Sequence, residues 1–207
     1  MKATPLKLIS VSVPYIAVLI GLYVLKNAWI TIGLYHLGIT VFIIAGDRNS
    51  LLRRVCSGWN STAAVIGTVM SVMISPIIFF FWEHMQLGNK SLDSALISFG
   101  LHGTSWFFFV IYFSTAQPLL EELFWRGYLV GDHKYFAWTD FAFAGYHLFV
   151  LAWFIKLPWL VIAFIILTIA AYVWRHLASK FEGLIVPLLS HIIADISIIV
   201  VTYVLIH

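Results

Sequence analysis

Seven apolar runs, each about long enough to cross a lipid bilayer, constrain the fold of this chain more than any other feature. A transmembrane helix needs about 20 mostly apolar residues. The runs are Leu8–Leu25, Ala28–Ala45, Ser61–Trp82, Leu96–Ala116, Tyr135–Ile155, Pro158–Trp174 and Leu184–Ile206. No internal repeat or second domain separates them. The sequence therefore predicts an all-α, polytopic transmembrane helical bundle in which residues 1–207 form a single integral membrane domain.

The composition agrees with a membrane protein and argues against other classes. Hydrophobic residues make up 62% of the chain and charged residues 10%, whereas soluble domains are about half apolar and about a quarter charged. Lys and Arg residues lie between the apolar runs and form no basic stripe, so we expect a lipid bilayer and no nucleic acid as partner. Cys56 is the single cysteine, which excludes an internal disulfide.

The basic residues also predict the orientation. Lys and Arg accumulate on the cytoplasmic side of membrane proteins. With seven spans, nine of the 12 basic residues fall on the side of the N-terminus, namely Lys2, Lys7, Arg48, Arg53, Arg54, Arg126, Lys134, Arg175 and Lys180, against Lys26, Lys90 and Lys156. We therefore expect a cytoplasmic N-terminus. The expected membrane is the plasma membrane of a prokaryote.

A proline interrupts the segment that follows the third run. Residues Leu96–Val130 would form a straight helix of roughly 50 Å, which exceeds a hydrocarbon core of about 30 Å. Pro118 lacks the backbone N–H that a helix needs, so we expect a kink or break there and a second helical piece from Leu119 to Val130. Broken helices in membranes line cavities or are buried in protein. The adjacent carboxylates Glu121 and Glu122 should thus lie at a water-filled cavity near the cytoplasmic side.

The two carboxylates have different expected roles. Ionisable side chains at membrane depth are costly and by default mark a functional site. Glu122 and Arg126 stand four residues apart in the favourable order, which predicts an intrahelical ion pair. Glu121 then has no obvious basic partner, and it is the better candidate for reacting with water.

Two histidines lie within apolar runs beside residues that share their helix face. His147 follows Phe143 by four positions, and His191 precedes Asp195 by four. In the predicted topology Glu121, His147, His191 and Asp195 enter the membrane from the same side and can converge at similar depth. The six other histidines are assigned to packing, loops or helix ends: His36, His84, His102, His133, His176 and His207.

The polar residues form three motifs that resemble a known family. Glu121-Glu122-x-x-x-Arg126, Phe143-x-x-x-His147 and His191-x-x-x-Asp195 appear in the order typical of the CAAX-protease and bacteriocin-processing (CPBP, or Abi) intramembrane glutamate proteases. The resemblance covers about residues 118–200, the motif-bearing catalytic half. The family includes prenyl-protein endopeptidases and consists of helical bundles with a recessed site. Its third motif usually ends in asparagine, whereas this chain has Asp195.

The resemblance implies a peptidase that cleaves near a C-terminal tail or a membrane-adjacent segment. Glu121 would take a proton from water that His147 helps to hold, and His191 would donate to the oxyanion. We expect Asp195 to orient His191, with Glu122, Arg126 and Phe143 in support. The expected substrate is a protein or peptide, prenylated or carrying a sorting tag, and no cofactor is expected.

Two alternatives remain open at this stage. Glu121, His147 and His191 could bind zinc with an open position for water, although the chain has no HExxH motif. The chain could also be a non-catalytic membrane protein, such as an immunity-type or scaffold protein that binds a peptide, or a transporter that relays protons.

Overall fold

The described residues fold into helices joined by short loops. The computed structural model describes residues 5–46, 48–88, 91–129 and 135–207, and within these ranges the only β pairing is an isolated bridge between Gln86 and Ile155. The helices are α1 (Pro5–Val18), α2 (Ala28–Ala45), α3 (Arg48–Val55), α4 (Ser61–Val72), α5 (Ile74–Met85), α6 (Leu92–Ser98), α7 (Gly103–Glu121), α8 (Trp138–Leu151), α9 (Leu157–Lys180) and α10 (Ile185–Ile206). Two π-helical segments continue α1 and α7, over Leu19–Val24 and Glu122–Tyr128.

The predicted all-α membrane class is confirmed, but the count of seven spans is not. Among the described residues, five helical stretches are long and apolar enough to cross a membrane: Pro5–Val24, Ala28–Ala45, Ser61–Met85, Leu157–Lys180 and Ile185–Ile206. A sixth arises if α6 and the helix Gly103–Tyr128 count as one bent span. The expected span Tyr135–Ile155 contains only α8, whose 14 residues extend about 21 Å. The helix begins only at Trp138, because Asp140 Oδ2 accepts a hydrogen bond from the Ala137 amide at 2.8 Å and caps the N-terminus there.

The expected broken helix precedes the carboxylates, but the predicted position of the break at Pro118 is wrong. The chain bends by 92° between α6 and α7, where Gly100 adopts a φ of +80° that suits glycine. Helix α7 instead runs through Pro118 to Glu121 and continues as the π-helix Glu122–Tyr128. Local π geometry is one way in which membrane helices tolerate proline. The predicted end of this piece, Val130, lies outside the described residues.

The π-helix after α7 lies at the centre of the bundle. It packs against α2, α3 and α9, while α10 packs against α4, α5, α7 and α9, and α8 packs against α1 and α9. Leu123, Phe124 and Trp125 are buried, whereas large apolar side chains such as Leu37, Phe80 and Leu157 are exposed on the outside. Apolar exteriors of this kind suit contact with lipid.

The loop after α3 and the loop before α10 lie at the same end of the bundle. The amide of Leu184 donates to Arg54 O at 2.7 Å, and the amide of Ile185 donates to Ser57 O at 3.2 Å. The opposite end holds the α5–α6 and α8–α9 connections, where the Lys156 amide donates to Met85 O at 2.8 Å. The predicted cytoplasmic orientation stays a prediction, and three of its basic residues, Lys2, Lys90 and Lys134, lie outside the described residues.

Among the histidines assigned to packing, His36 has a defined partner. It is buried, and its Nδ1 lies 2.8 Å from the Tyr112 hydroxyl on α7. His133 lies outside the described residues.

Candidate active site

Glu121 is the last residue of α7 and is 0% exposed. Its Oε1 accepts a hydrogen bond from the Tyr146 hydroxyl of α8. Its Oε2 is buried without a hydrogen-bond partner among the described residues. The nearest imidazole nitrogen to that oxygen is His191 Nε2, at 3.7 Å. Glu121 therefore has one oxygen fixed by α8 and one oxygen directed toward α10.

Glu122 accepts hydrogen bonds from two side chains at once. Its Oε1 accepts Arg126 Nη1 at 3.0 Å, which is the ion pair predicted from the sequence, and it also accepts His191 Nδ1 at 2.8 Å. The Arg126 guanidinium is buried, 4.3 Å from the centroid of the Phe143 ring and 4.9 Å from that of Trp174. Aromatic faces stabilise a desolvated cation. Glu122 is thus both the partner of Arg126 and the residue that fixes the His191 ring.

His191 presents its second nitrogen to two further carboxylates. The Trp174 ring stacks on its ring at a centroid distance of 4.4 Å. His191 Nε2 lies 3.7 Å from Glu121 Oε2 and 3.8 Å from Asp195 Oδ1. Both distances are too long for a direct hydrogen bond. The contact that orients the imidazole is made by Glu122, whereas the sequence predicts that role for Asp195.

His147 is partly buried at the edge of the cluster. Its Nδ1 donates to the Phe143 carbonyl at 2.8 Å, which is the i,i+4 relation predicted from the sequence. Its Nε2 lies 3.1 Å from the Tyr146 hydroxyl. The hydrogen bonds of His147 therefore connect it with Glu121 through Tyr146.

Tyr146 is a site residue that the sequence reasoning missed. It is 4% exposed, and the Trp125 ring stacks on it at 5.9 Å and 6°. Trp125 in turn donates from Nε1 to the Tyr35 hydroxyl at 2.9 Å. A buried tyrosine hydroxyl needs a hydrogen-bond partner, and Tyr146 directly precedes a motif histidine. The need of a buried hydroxyl for a partner, next to a motif histidine, is the sequence signal that indicates a role for Tyr146 in the site.

A second buried ion pair sets the position of α8, and it was also missed. Asp140 Oδ1 accepts Arg175 Nε at 2.9 Å, and Asp140 Oδ2 accepts Arg175 Nη2 at 2.8 Å. Such bidentate pairs are geometrically specific. Asp140 lies in the first turn of α8 and Arg175 belongs to α9, so the pair fixes the depth at which α8 presents Tyr146 and His147.

The predicted water-filled cavity is closed at the carboxylates. Glu121, Glu122 and Arg126 are at most 2% exposed, and His191 and Asp195 are 3% and 5% exposed. An open cavity of about 480 Å³ lies elsewhere, between α5 and α6, and contains none of the predicted site residues. The motif residues otherwise converge as the sequence predicts, with α7, α8 and α10 contributing one motif each.

The zinc alternative requires several metal-ligating side chains arranged around one point, and the part of the chain that the structure describes has no such group. No group of three or more His, Cys, Asp and Glu side chains there is arranged to hold a metal ion. Zinc at Glu121, His147 and His191 stays an alternative that only experiment tests.

Comparison with protein families gives a match that includes this site. The family model for type II CAAX prenyl endopeptidase Rce1-like proteins matches residues 102–197. Residues 102–197 therefore match the CAAX-protease family. This family is a protease family, and the matched residues include all three motifs of the candidate site. No curated protein and no solved structure matches the chain.

Proposed function

We propose that the chain is an intramembrane endopeptidase that hydrolyses a peptide bond near a C-terminal tail or a membrane-adjacent segment. The observation that carries the proposal is Glu121 Oε2, a buried carboxylate oxygen without a hydrogen-bond partner among the described residues, 3.7 Å from His191 Nε2. Two polar atoms too far apart for a direct hydrogen bond can be bridged by a water. The match to CAAX proteases supports peptide hydrolysis as the reaction.

Glu121 is the proposed general base. A water that donates to Glu121 Oε2 gives up a proton to it, and the water oxygen bonds to the carbonyl carbon of the substrate. When the C–N bond breaks, the proton on Glu121 passes to the amine nitrogen. The other carboxylate oxygen stays bonded to Tyr146 throughout, so Glu121 keeps its direction.

His191 is the proposed donor to the oxyanion. Its Nδ1 hydrogen is occupied by Glu122, so Nε2 carries a hydrogen only when the ring holds both protons. The nearby carboxylates of Glu121, Glu122 and Asp195 favour that charged ring. Charged donors in a buried site stabilise an oxyanion by several kcal/mol.

The proposed substrate is a protein or peptide whose cleavable segment enters the membrane. The burial of Glu121 suits a peptide end or an extended segment better than a folded surface. A prenylated tail and a tail with a sorting tag both fit this description, and the lipid group is part of the test below.

The test uses purified protein in phosphatidylcholine and phosphatidylglycerol vesicles. The probes are an internally quenched peptide with a farnesylated Cys-aliphatic-aliphatic-X end and the same peptide without farnesyl. We expect cleavage by the unaltered chain and a loss of about 10²- to 10⁴-fold in kcat for Glu121→Gln, because the general base is removed. Glu83→Gln, at an exposed glutamate of α5, is the matched control and should keep full activity.

Three results contradict the proposal. Full activity of Glu121→Gln would remove its general base. Loss of activity with a chelator and recovery with zinc would favour the zinc-dependent alternative. Tight binding of both peptides without cleavage would favour a non-catalytic peptide-binding protein.

A further inference from the structure

The hydrogen bonds around Tyr146 contain one hydrogen fewer than they need. His147 uses the hydrogen on Nδ1 to donate to the Phe143 carbonyl, which can only accept. Tyr146 has a single hydroxyl hydrogen, and its oxygen contacts both Glu121 Oε1 and His147 Nε2. If Glu121 is ionised and His147 is neutral, these two contacts share one hydrogen. One of them is then a contact between two acceptors.

One additional proton completes the set in either of two ways. When it is on His147, Nε2–H donates to the Tyr146 oxygen, and Tyr146 donates to the Glu121 carboxylate. When it is on Glu121, the carboxylic acid donates to Tyr146, and Tyr146 donates to His147 Nε2. The two states interconvert when the Tyr146 proton moves to Glu121 Oε1 and the His147 proton moves to the Tyr146 oxygen. The number of protons is conserved, and no heavy atom has to move.

The Tyr146 hydroxyl has one further hydrogen-bonding neighbour, Tyr35 of α2, whose hydrogen cannot serve the contact with Glu121 or the contact with His147. The Tyr146 ring lies between the stacked Trp125 ring and the edge of Tyr15, at 5.9 Å and 6.4 Å. Its hydroxyl is buried, and hydrogen bonds in such surroundings are costly to leave unmade. The titratable groups in contact with it are Tyr15 of α1, Tyr35 of α2, Glu121 of α7 and His147 of α8. Further charged or titratable groups lie one contact away: His36 beside Tyr35, His191 beside Glu121, and Glu122, Arg126 and Asp195 beside His191 or one another.

We propose that Tyr146 is a positioning residue through which Glu121 and His147 share one proton. Glu121 accepts a proton from water only when the shared proton is on His147, since only then is its carboxylate ionised. Tyr146 thus couples the charge of the partly exposed histidine to the basicity of the buried glutamate. The catalytic consequence rests on the proposed function, whereas the proton sharing itself does not.

The first experiment measures the sharing without any substrate. Tyr146→3-fluorotyrosine places a fluorine beside the hydroxyl, and its ¹⁹F signal is followed against pH in detergent. We expect a transition that His147→Ala and Glu121→Gln each displace by at least about one pH unit, as strongly coupled groups do. Fluorine at Tyr15, which donates to the Ala142 carbonyl, is the control and should respond to neither variant. An identical transition with and without His147 overturns the proposal.

The second experiment measures hydrolysis of whichever quenched peptide is cleaved. Tyr146→Phe should lower kcat about 10- to 100-fold, as expected for loss of a hydrogen bond to a charged group, with KM unchanged. Tyr146→3-fluorotyrosine should restore kcat and move the pH profile to lower pH. The more acidic phenol donates more strongly to Glu121 and accepts more weakly from His147. Tyr15→Phe is the control that removes a neighbouring hydroxyl without touching Glu121.

The two experiments separate the two proposals. Coupled ¹⁹F transitions in a protein that cleaves neither peptide would overturn the proposed function and leave the proton sharing intact. Cleavage that depends on Glu121, together with an unchanged rate and pH profile in Tyr146→Phe, would overturn the proton sharing alone.

Discussion

The adjacent carboxylates differ because neighbouring residues of a helix point in different directions. Glu122 faces Arg126 and His191 Nδ1, and both contacts are hydrogen bonds. Glu121 faces Tyr146 and leaves one oxygen toward His191 Nε2. One carboxylate therefore has a structural role, and the other has an oxygen available for a water. The sequence predicts this division from the i,i+4 spacing of Glu122 and Arg126 alone.

Glu122→Gln should reduce stability and activity together. Breaking one side of a buried ion pair leaves Arg126 as an uncompensated charge, which costs about 3–5 kcal/mol. We expect a lower Tm in a thermal unfolding assay in detergent. The double variant Glu122→Leu/Arg126→Met should recover Tm but not hydrolysis, because His191 Nδ1 has then lost its acceptor. Recovery of hydrolysis in the double variant would contradict the role assigned to Glu122.

Asp195→Asn tests the position at which this chain departs from the family pattern. Removing a carboxylate 3.8 Å from His191 Nε2 weakens the preference for the charged imidazole. We expect hydrolysis to persist and the alkaline limb of the kcat profile to move to lower pH. An unchanged profile would show that the carboxylate at this position has no special role.

Single-residue patterns predict most of the candidate site but not Tyr146. The spacings Phe143–His147 and His191–Asp195 fix which residues share a helix face, and three motif helices that enter from one side converge. The contact between Tyr146 and Glu121 depends on the rotation of α8 against α7. Rotation is set by packing with α1 and α9, and no periodicity in α8 itself encodes it.

At the scale of helices, the shape of the bundle follows from turns and caps more than from hydropathy. Pro118 suggests a break, yet the helix passes through it, and the 92° bend occurs near Gly100 instead. Hydropathy predicts a full span around His147, yet α8 has 14 residues and begins beside the Asp140 cap, where Asp140 also pairs with Arg175. The first difference arises at a glycine with positive φ, and the second is accompanied by an ion pair between α8 and α9.

The hairpin of α1 and α2 gives a test of helix packing behind Tyr146. A Cβ added at Gly21 would lie 2.6 Å from the backbone Cα of Thr31, so a side chain there forces the two helices apart. Gly21→Val should lower Tm and also kcat, because α1 and α2 supply Tyr15 and Tyr35 beside Tyr146. Gly33→Ala is the matched control, since nothing lies within 4 Å of its added Cβ. It should leave Tm unchanged or raise it slightly, and a fall in Tm comparable with that of Gly21→Val would contradict this packing.

At the scale of the whole molecule, the orientation can be tested with Cys56. It is the single cysteine and is exposed, in the loop that follows α3. Because α1 and α2 are two spans, this loop lies on the side of the N-terminus whatever the number of later spans. A membrane-impermeant maleimide should label Cys56 in inside-out vesicles and not in intact cells.

A cysteine at the opposite end of the bundle is the control for that experiment. Leu87 is 43% exposed at the opposite end, where its amide donates to Phe154 O. Leu87→Cys in a Cys56→Ser background should be labelled in intact cells. The opposite labelling pattern in both proteins would place the site end of the bundle outside the cell.

The short helix α8 has a consequence for the lipid around it. Its length of about 21 Å is less than the roughly 30 Å hydrocarbon core that the other spans match. Lipids beside its exposed Phe141 and Phe149 must therefore compress or tilt their acyl chains. We therefore expect a thinner bilayer beside this face of α8. The rate of hydrolysis would then depend on the acyl-chain length of the lipid as well as on the substrate sequence. A thinner bilayer would bring water and peptide nearer to Glu121.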